Sequence, residues 1–185
     1  MIEIIGLHGK AKSGKDTVAD HLVGNHRFTK TAYADHLKDI TSVAFGIPRV
    51  DMDDQYKKAE YQPRYDMFLR EILQKLGTEC FRAVFGEDFW LNALKYKIED
   101  AVSAGKTRFV ISDVRFDNEA AWIKDQGGTI IHITTDRESE KDIGVVDHKS
   151  EKVIDLSLVN YTLENNSTYE NLYSNVDHLI HLAKR

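Results

Sequence analysis

The chain has 185 residues, 42% of them apolar and 30% charged, with a formal net charge of −5. That length fits one domain with a real core, and the acidic balance argues against a general nucleic-acid-binding surface. The single Cys80 excludes a disulfide framework and cysteine-type metal spacing, and no apolar run approaches the roughly 20 residues of a membrane span.

Residues 2–7 are short, apolar and β-branched, the pattern of a central parallel strand buried on both faces, and they leave no room for a signal peptide. A cytoplasmic chain is expected, with Cys80 as a small buried apolar residue. After a glycine-bounded loop, a helix is expected over 16–25 with Val18, Ala19, Leu22 and Val23 on one side. Residues 28–34 read as a strand and 35–45 as a helix carrying Leu37, Ile40, Val43 and Ala44, with Asp35 at its N-cap and Gly46 and Pro48 ending it. Residues 49–66 are polar and weakly periodic, and read as a flap. A helix over 65–76 is expected to break at Gly77, with a short helix over 78–85 beyond it. Residues 88–102 are a long amphipathic helix with Phe89, Trp90, Leu91, Leu94, Ile98 and Val102. A strand over 108–112, a helix over 117–126, a strand over 129–134, a charged segment over 135–151 and a weaker strand over 159–163 follow. The chain ends in a helix through Leu182, capped from Asn165-Asn166-Ser167-Thr168, with Leu172, Val176, Leu179 and Ile180 inward. Strands alternating with helices predict an α/β fold: one domain with a parallel sheet and helices on both faces.

The loop Gly9-Lys10-Ala11-Lys12-Ser13-Gly14-Lys15-Asp16-Thr17 stands between a strand and a helix, the phosphate-binding P-loop arrangement. Backbone N–H groups turned inward and a helix N-terminus suit several clustered negative charges, and Lys15 adds a mobile point charge. Gly9 and Gly14 allow a close approach that a Cβ would obstruct. Asp16 stands where the pattern has Ser or Thr, and the hydroxyl comes one place later at Thr17. Asp16 is open to two readings, a magnesium ligand (direct or through water) or a counter-charge to a lysine.

Asp113 and Arg115 follow a central strand, at the sheet edge where open parallel sheets bind ligands. A carboxylate there organises Mg²⁺ in phosphoryl-transfer sites, or simply caps a helix. Arg64, Arg70, Arg82, Arg115 and Arg137 supply guanidinium forks for phosphates, although any one of them is as readily a solvated surface charge. Asp35 and Lys38 lie one helical turn apart, either as acceptor contacts or as a surface pair. Residues 147–151, with His148 and Glu151, form a polar cluster.

Taken together, Ser13-Gly14-Lys15-Asp16-Thr17, Leu76-Gly77-Thr78-Glu79, Phe89-Trp90, the run 113–120, the run 127–133, 148–151 and 165–172 make the chain resemble the deoxynucleoside monophosphate kinases of tailed bacteriophages, over nearly its whole length. In that family the Asp after the loop lysine is usual. The resemblance implies a P-loop three-layer sandwich with a monophosphate-binding helical insertion over about 46–105 and a short lid over about 135–151. It implies ATP-dependent phosphorylation of a deoxynucleoside monophosphate, with ATP and Mg²⁺ as cofactors. Carried over, Gly9, Lys12, Ser13, Gly14, Lys15, Asp16 and Thr17 bind the ATP phosphates, and Asn165, Asn166 and Ser167 hold the adenine. Lys15, Asp113, Arg115 and Arg137 look like catalytic residues, with Asp16 and Asp113 organising the metal. Asp35, Lys38, Arg70, Arg82, Trp90, Arg115, Glu119, His148 and Glu151 are the candidate substrate contacts. Two features depart from the family pattern: little chain lies between Gly46 and Gln62, and Arg137 is the one arginine before His148. The competing readings are a kinase for another small phosphorylated acceptor, such as phosphomevalonate or dephospho-coenzyme A, and a non-catalytic nucleotide-binding switch. A homodimer is left open, and neither nucleic acid nor membrane is expected as a partner.

Overall fold

Along the central strands the apolar side chains alternate between two faces, as period-two strands buried on both sides must. Ile4, Phe109, Ile111 and Ile130 belong to one buried cluster, while Ile5, Leu7, Val110, Ile131 and Ile133 belong to the other. The computed structural model describes residues 2–136 and 153–183. Its strands are β1 (Glu3–His8), β2 (Thr29–Thr31), the hairpin β3 (Tyr61–Gln62) and β4 (Met67–Phe68), then β5 (Arg108–Ile111), β6 (Thr129–Thr134) and β7 (Tyr161–Glu164). All but the hairpin form one parallel sheet in the order β2-β5-β1-β6-β7.

The helices are α1 (Lys15–His26), α2 (Asp35–Phe45), α3 (Gln55–Lys58), α4 (Leu69–Gln74), α5 (Ala83–Phe85), α6 (Phe89–Ser103), α7 (Asp117–Asp125) and α8 (Tyr169–Ala183). Val18, Ala19 and Leu22 of α1 and Leu172, Val176 and Ile180 of α8 close one face of the sheet. Trp90, Leu91, Leu94 and Ile98 of α6 and Ala120 and Ile123 of α7 close the other. This is the three-layer α/β sandwich that the alternation of elements predicted. No helix of the described residues is long and apolar enough to cross a membrane.

Several expectations need correction. Gly77 does not break its helix: α4 runs into a π-helical stretch, Lys75–Arg82, and on into α5. The close pass of Leu37 bears on the glycine instead: a Cβ there would stand 2.9 Å from Leu37 Cδ2. The Gly77 carbonyl accepts from the Trp90 Nε1–H at 2.8 Å. Cys80 is exposed, because Gly77 and Phe81 take the inward side of this turn. Residues 49–66 carry a 3₁₀ turn (Arg49–Met52), α3 and the hairpin, anchored by the buried Met52 against Ile47, Leu69 and Ile72. The helix over 35–45 has the expected bounds, but Val43 is 87% exposed and Ile40 is also exposed, as is Val23 on α1. Asp35 is the first helical residue, not the cap. Its carboxylate reaches back to accept from the Ala32 N–H at 3.0 Å.

Candidate functional site

Parallel strands send all their C-terminal ends to one edge of the sheet, so the loops after β1, β2 and β5 meet there. The loop between β1 and α1 is held in a shape few residues adopt. Gly9, Lys12 and Gly14 have φ of +147°, +61° and +102°. A Cβ on Gly9 would collide with the Ile133 carbonyl, and one on Gly14 with the Asn165 amide. Gly14 is the N-cap of α1 and offers no side-chain cap, so the first N–H groups of a 12-residue helix are left for an anion. The Lys15 ammonium arches back over the loop, donating to the carbonyls of Gly9 (2.7 Å) and Lys10 (2.6 Å). Ser13 Oγ is buried with no hydrogen-bond partner among the described residues.

Two cavities flank this loop. One of about 400 Å³ is lined by Lys12, Gly14, Asp16 and Thr17, by Tyr33, Leu37 and Lys38, and by Lys58, Arg70, Gln74, Arg82, Trp90, Asp113 and Glu119. The other, about 290 Å³, is lined by His8, Gly9, Lys10, Ser13, Val114, His132, Thr134 and Thr135. Lys15 and Arg115 line both.

The predicted residues are not all alike in placement. Asp113 leaves the end of β5 and grips the β2–α2 connection, its two oxygens accepting from the N–H groups of Tyr33 (2.8 Å) and Ala34 (2.9 Å). Asp16 pairs with Lys30 Nζ at 3.0 Å. Arg82 is buried, stacked on the Phe116 ring at 3.9 Å, and its guanidinium donates to the Glu119 carboxylate and the Glu87 carbonyl. Glu119 also accepts from the N–H of Arg115 (2.9 Å) and of Phe116 (3.2 Å). Burial raises its carboxyl above the usual range, against the pull of Arg82. Arg70 and Trp90 face the larger cavity, and Lys38 does so while donating to Asp53 at 2.7 Å. Asp35 lines neither cavity and turns to Lys97 (2.5 Å) and Arg49 (3.4 Å). Asn165 props the loop from behind, donating to the Ser13 carbonyl at 2.9 Å, and Asn166 exchanges two hydrogen bonds with Asp136. The Ser167 hydroxyl accepts from Asn171 at 2.8 Å. Arg137, His148 and Glu151 lie outside the described residues, as does the expected lid apart from Thr135 and Asp136.

Three residues that line the cavities escaped the sequence reading. His8 ends β1, and its register partner His132 lies two residues before the end of β6, rings 5.0 Å apart. Both are held below the ordinary histidine range, chiefly by burial and further by the Lys15 charge. A histidine ending one apolar strand run and another interrupting a second were the available signal. Lys58, from the segment read as a flap, makes no side-chain hydrogen bond among the described residues. Its ammonium is pushed down to about 8 by burial, then by the charges of Lys38 and Arg115.

The family model described as deoxynucleotide monophosphate kinase matches residues 47–176. A protein of Acanthamoeba polyphaga mimivirus named for that activity is 30% identical over 191 residues, covering 94% of this chain and 93% of its own. The deoxynucleotide monophosphate kinase of Escherichia phage RB69 is 18% identical over 247 residues, covering 97% of this chain and all of its own (100%). Among solved structures, dephospho-CoA kinase from Campylobacter jejuni matches at a TM-score of 0.54 and 14% identity, over 99% of this chain and 98% of the other. A sugar kinase from Janibacter sp. HTCC2649 matches at 0.56 and 12%, over 98% and 95%. Identities that low speak for the fold alone.

Proposed function

The chain belongs to the deoxynucleotide monophosphate kinase family, and from that premise we propose that it transfers the γ-phosphoryl group of ATP to deoxynucleoside 5′-monophosphates. The observation that carries this reading is that Lys15 and Arg115 line both cavities, so two anionic ligands meet across one pair of cations. In-line transfer to a phosphate oxygen needs no strong base, because the acceptor is already an anion. Catalysis is then positioning and charge neutralisation.

The loop Gly9–Thr17 and the start of α1 bind the donor phosphates, and the unpartnered Ser13 hydroxyl and the bare N-terminus of α1 fit such an anion. Asp16, Thr17 and Asp113 line one cavity and offer oxygen donors only, the set that suits Mg²⁺. The ion supplies charge neutralisation on the donor phosphates. Lys38, Lys58 and Arg70 take the acceptor phosphate, and Trp90 and Leu37 wall its base. Arg115 bridges the two sides. Arg82 and Glu119 hold the wall behind the acceptor, with Glu119 fixing the Arg115 backbone. In this reading residues 46–105 form the monophosphate-binding part, and 135–151 are a lid in which Arg137 closes over the transferring group and excludes water.

The test is ADP release with ATP and Mg²⁺ across dAMP, dGMP, dCMP, dTMP and their ribose counterparts, with phosphomevalonate as the contrast. Stimulation by one or more deoxynucleotides is expected. ATP binding with no stimulation by any nucleotide would overturn the proposal.

A further inference from the structure

At the opposite end of α1 from the phosphate loop, two helices bring together a group of side chains that the reaction does not use. His21 and His26 of α1 both direct Nε2 at the same oxygen of Asp177 on α8, at 2.7 and 2.6 Å. The donor atoms of all three lie within 4.8 Å of one another. The His21 and His26 side chains are 8% and 17% exposed, and Asp177 is 46% exposed. The Tyr173 ring stacks on His21 with centroids 4.3 Å apart and planes 4° from parallel, which fixes the plane of that imidazole.

We propose that His21, His26 and Asp177 form a divalent transition-metal site of the zinc type, tying the far end of the P-loop helix to α8. Zinc takes imidazole nitrogen and carboxylate oxygen at about 2.0–2.2 Å, so neighbouring tetrahedral donors stand about 3.3 Å apart. The two rings converge already. Asp177 Oδ1 has to retreat by roughly 0.6 Å from each to reach that spacing, and a half-exposed carboxylate has the freedom to do so. Water fills the fourth position. Two nitrogens with one carboxylate favour Zn²⁺, Co²⁺ or Ni²⁺ over Mg²⁺, which demands oxygen ligands. A ligating Nε2 needs its proton on Nδ1. His21 Nδ1 lies 3.0 Å from the Asn25 side-chain amide, whose oxygen accepts that proton once the amide turns. His21 and His26 stand six and eleven residues beyond Lys15, about 9 and 16 Å along the helix axis from the phosphate loop, so the magnesium of the phosphoryl-transfer site would be a different ion.

The experiment is calorimetric titration of chelator-stripped full-length protein with ZnCl₂ in millimolar Mg²⁺, followed by the absorption spectrum of the Co²⁺ form. One ion per chain is expected, with visible bands of tetrahedral intensity and a melting temperature that rises with Zn²⁺. His26→Gln and Asp177→Asn should each weaken binding by at least about 100-fold, the upper end of what losing an outer-shell partner alone does, and abolish the Zn²⁺-dependent rise. Melting in chelator establishes that each variant is folded. Absence of Zn²⁺ binding in the wild type would leave a hydrogen-bonded cluster only and overturn the site. So would unchanged affinity in either folded variant, which would assign the ion to other histidines, or equal competition by Mg²⁺.

Discussion

Lys15 holds two loop carbonyls and faces both cavities, so under the proposed function its loss removes a charge from between the two substrates. Lys15→Ala is expected to lower kcat by about 100- to 1,000-fold, the usual loss when one transition-state donor is deleted. A melting curve and steady-state rates check it, and full turnover in a folded variant would remove the loop from the mechanism. Lys58 makes a different prediction. Its pKa is pushed down to about 8 from a model-peptide value of 10.5, so between those values the unfolded chain holds a proton that the folded chain does not. Stability contributed through this group therefore rises with pH over that window, while the cation available to an acceptor phosphate disappears. The KM for the monophosphate should climb as pH passes about 8 and stay level in Lys58→Arg; a wild-type KM flat to pH 9 would detach Lys58 from the acceptor. Nothing in the sequence around Lys58 marked it, because its role depends on Met52 anchoring a segment with no periodicity of its own. The glycine-bounded loop that carries Lys15 was legible because its backbone shape is set by a contiguous stretch.

The elements around the larger cavity are coupled by a buried ion pair. Arg82, at the end of the π-helical stretch, meets Glu119 of α7, and both are almost fully enclosed. Glu119→Gln leaves a buried guanidinium without its counter-charge. The expected loss is about 3–5 kcal/mol of stability, read by denaturant unfolding, with Arg82→Met on top of it restoring part of that loss. Gly77 offers a graded test of the continuous helical rod. A Cβ there meets only the terminal methyl of Leu37, so Gly77→Ala should be near neutral, helped by helix propensity. Gly77→Val should cost about 1–3 kcal/mol by overpacking and raise the KM for the acceptor. A glycine in a helical sequence pattern reads as a break; here the side chain that passes close to it is Leu37, 40 residues earlier, and sequence spacing alone does not announce that contact.

At the scale of the whole molecule, the sheet order puts β1 at the centre, with β5 and β6 on either side. The phosphate loop therefore emerges between Asp113 and Arg115 on one flank and Thr134 and Asn165 on the other. Each flank carries its own cavity. An inhibitor that joins adenosine to a deoxynucleoside through a chain of phosphates should compete with both substrates at once and bind at least about 100-fold more tightly than either, through the effective concentration a short linker provides. Competition with ATP alone would mean that the two cavities do not work as a pair.

The sequence by itself determined the features that are local in the chain. Strands of alternating apolar residues, helices with a continuous buried stripe such as α6 and α8, and the loop with its two glycines and lysine follow from side-chain periodicity and backbone sterics over a few residues. The alternation of strand and helix was enough for a parallel sheet covered on both faces. Only the tertiary structure decided which polar groups meet. It gave Asp113 to the backbone of Tyr33 and Ala34, Arg82 to Glu119, Asp35 to Lys97 and Arg49, and His8 to His132 across the β1–β6 register. Such contacts join residues 14 to more than 100 positions apart, and a hydrogen bond or ion pair acts over about 3 Å of space rather than any distance along the chain.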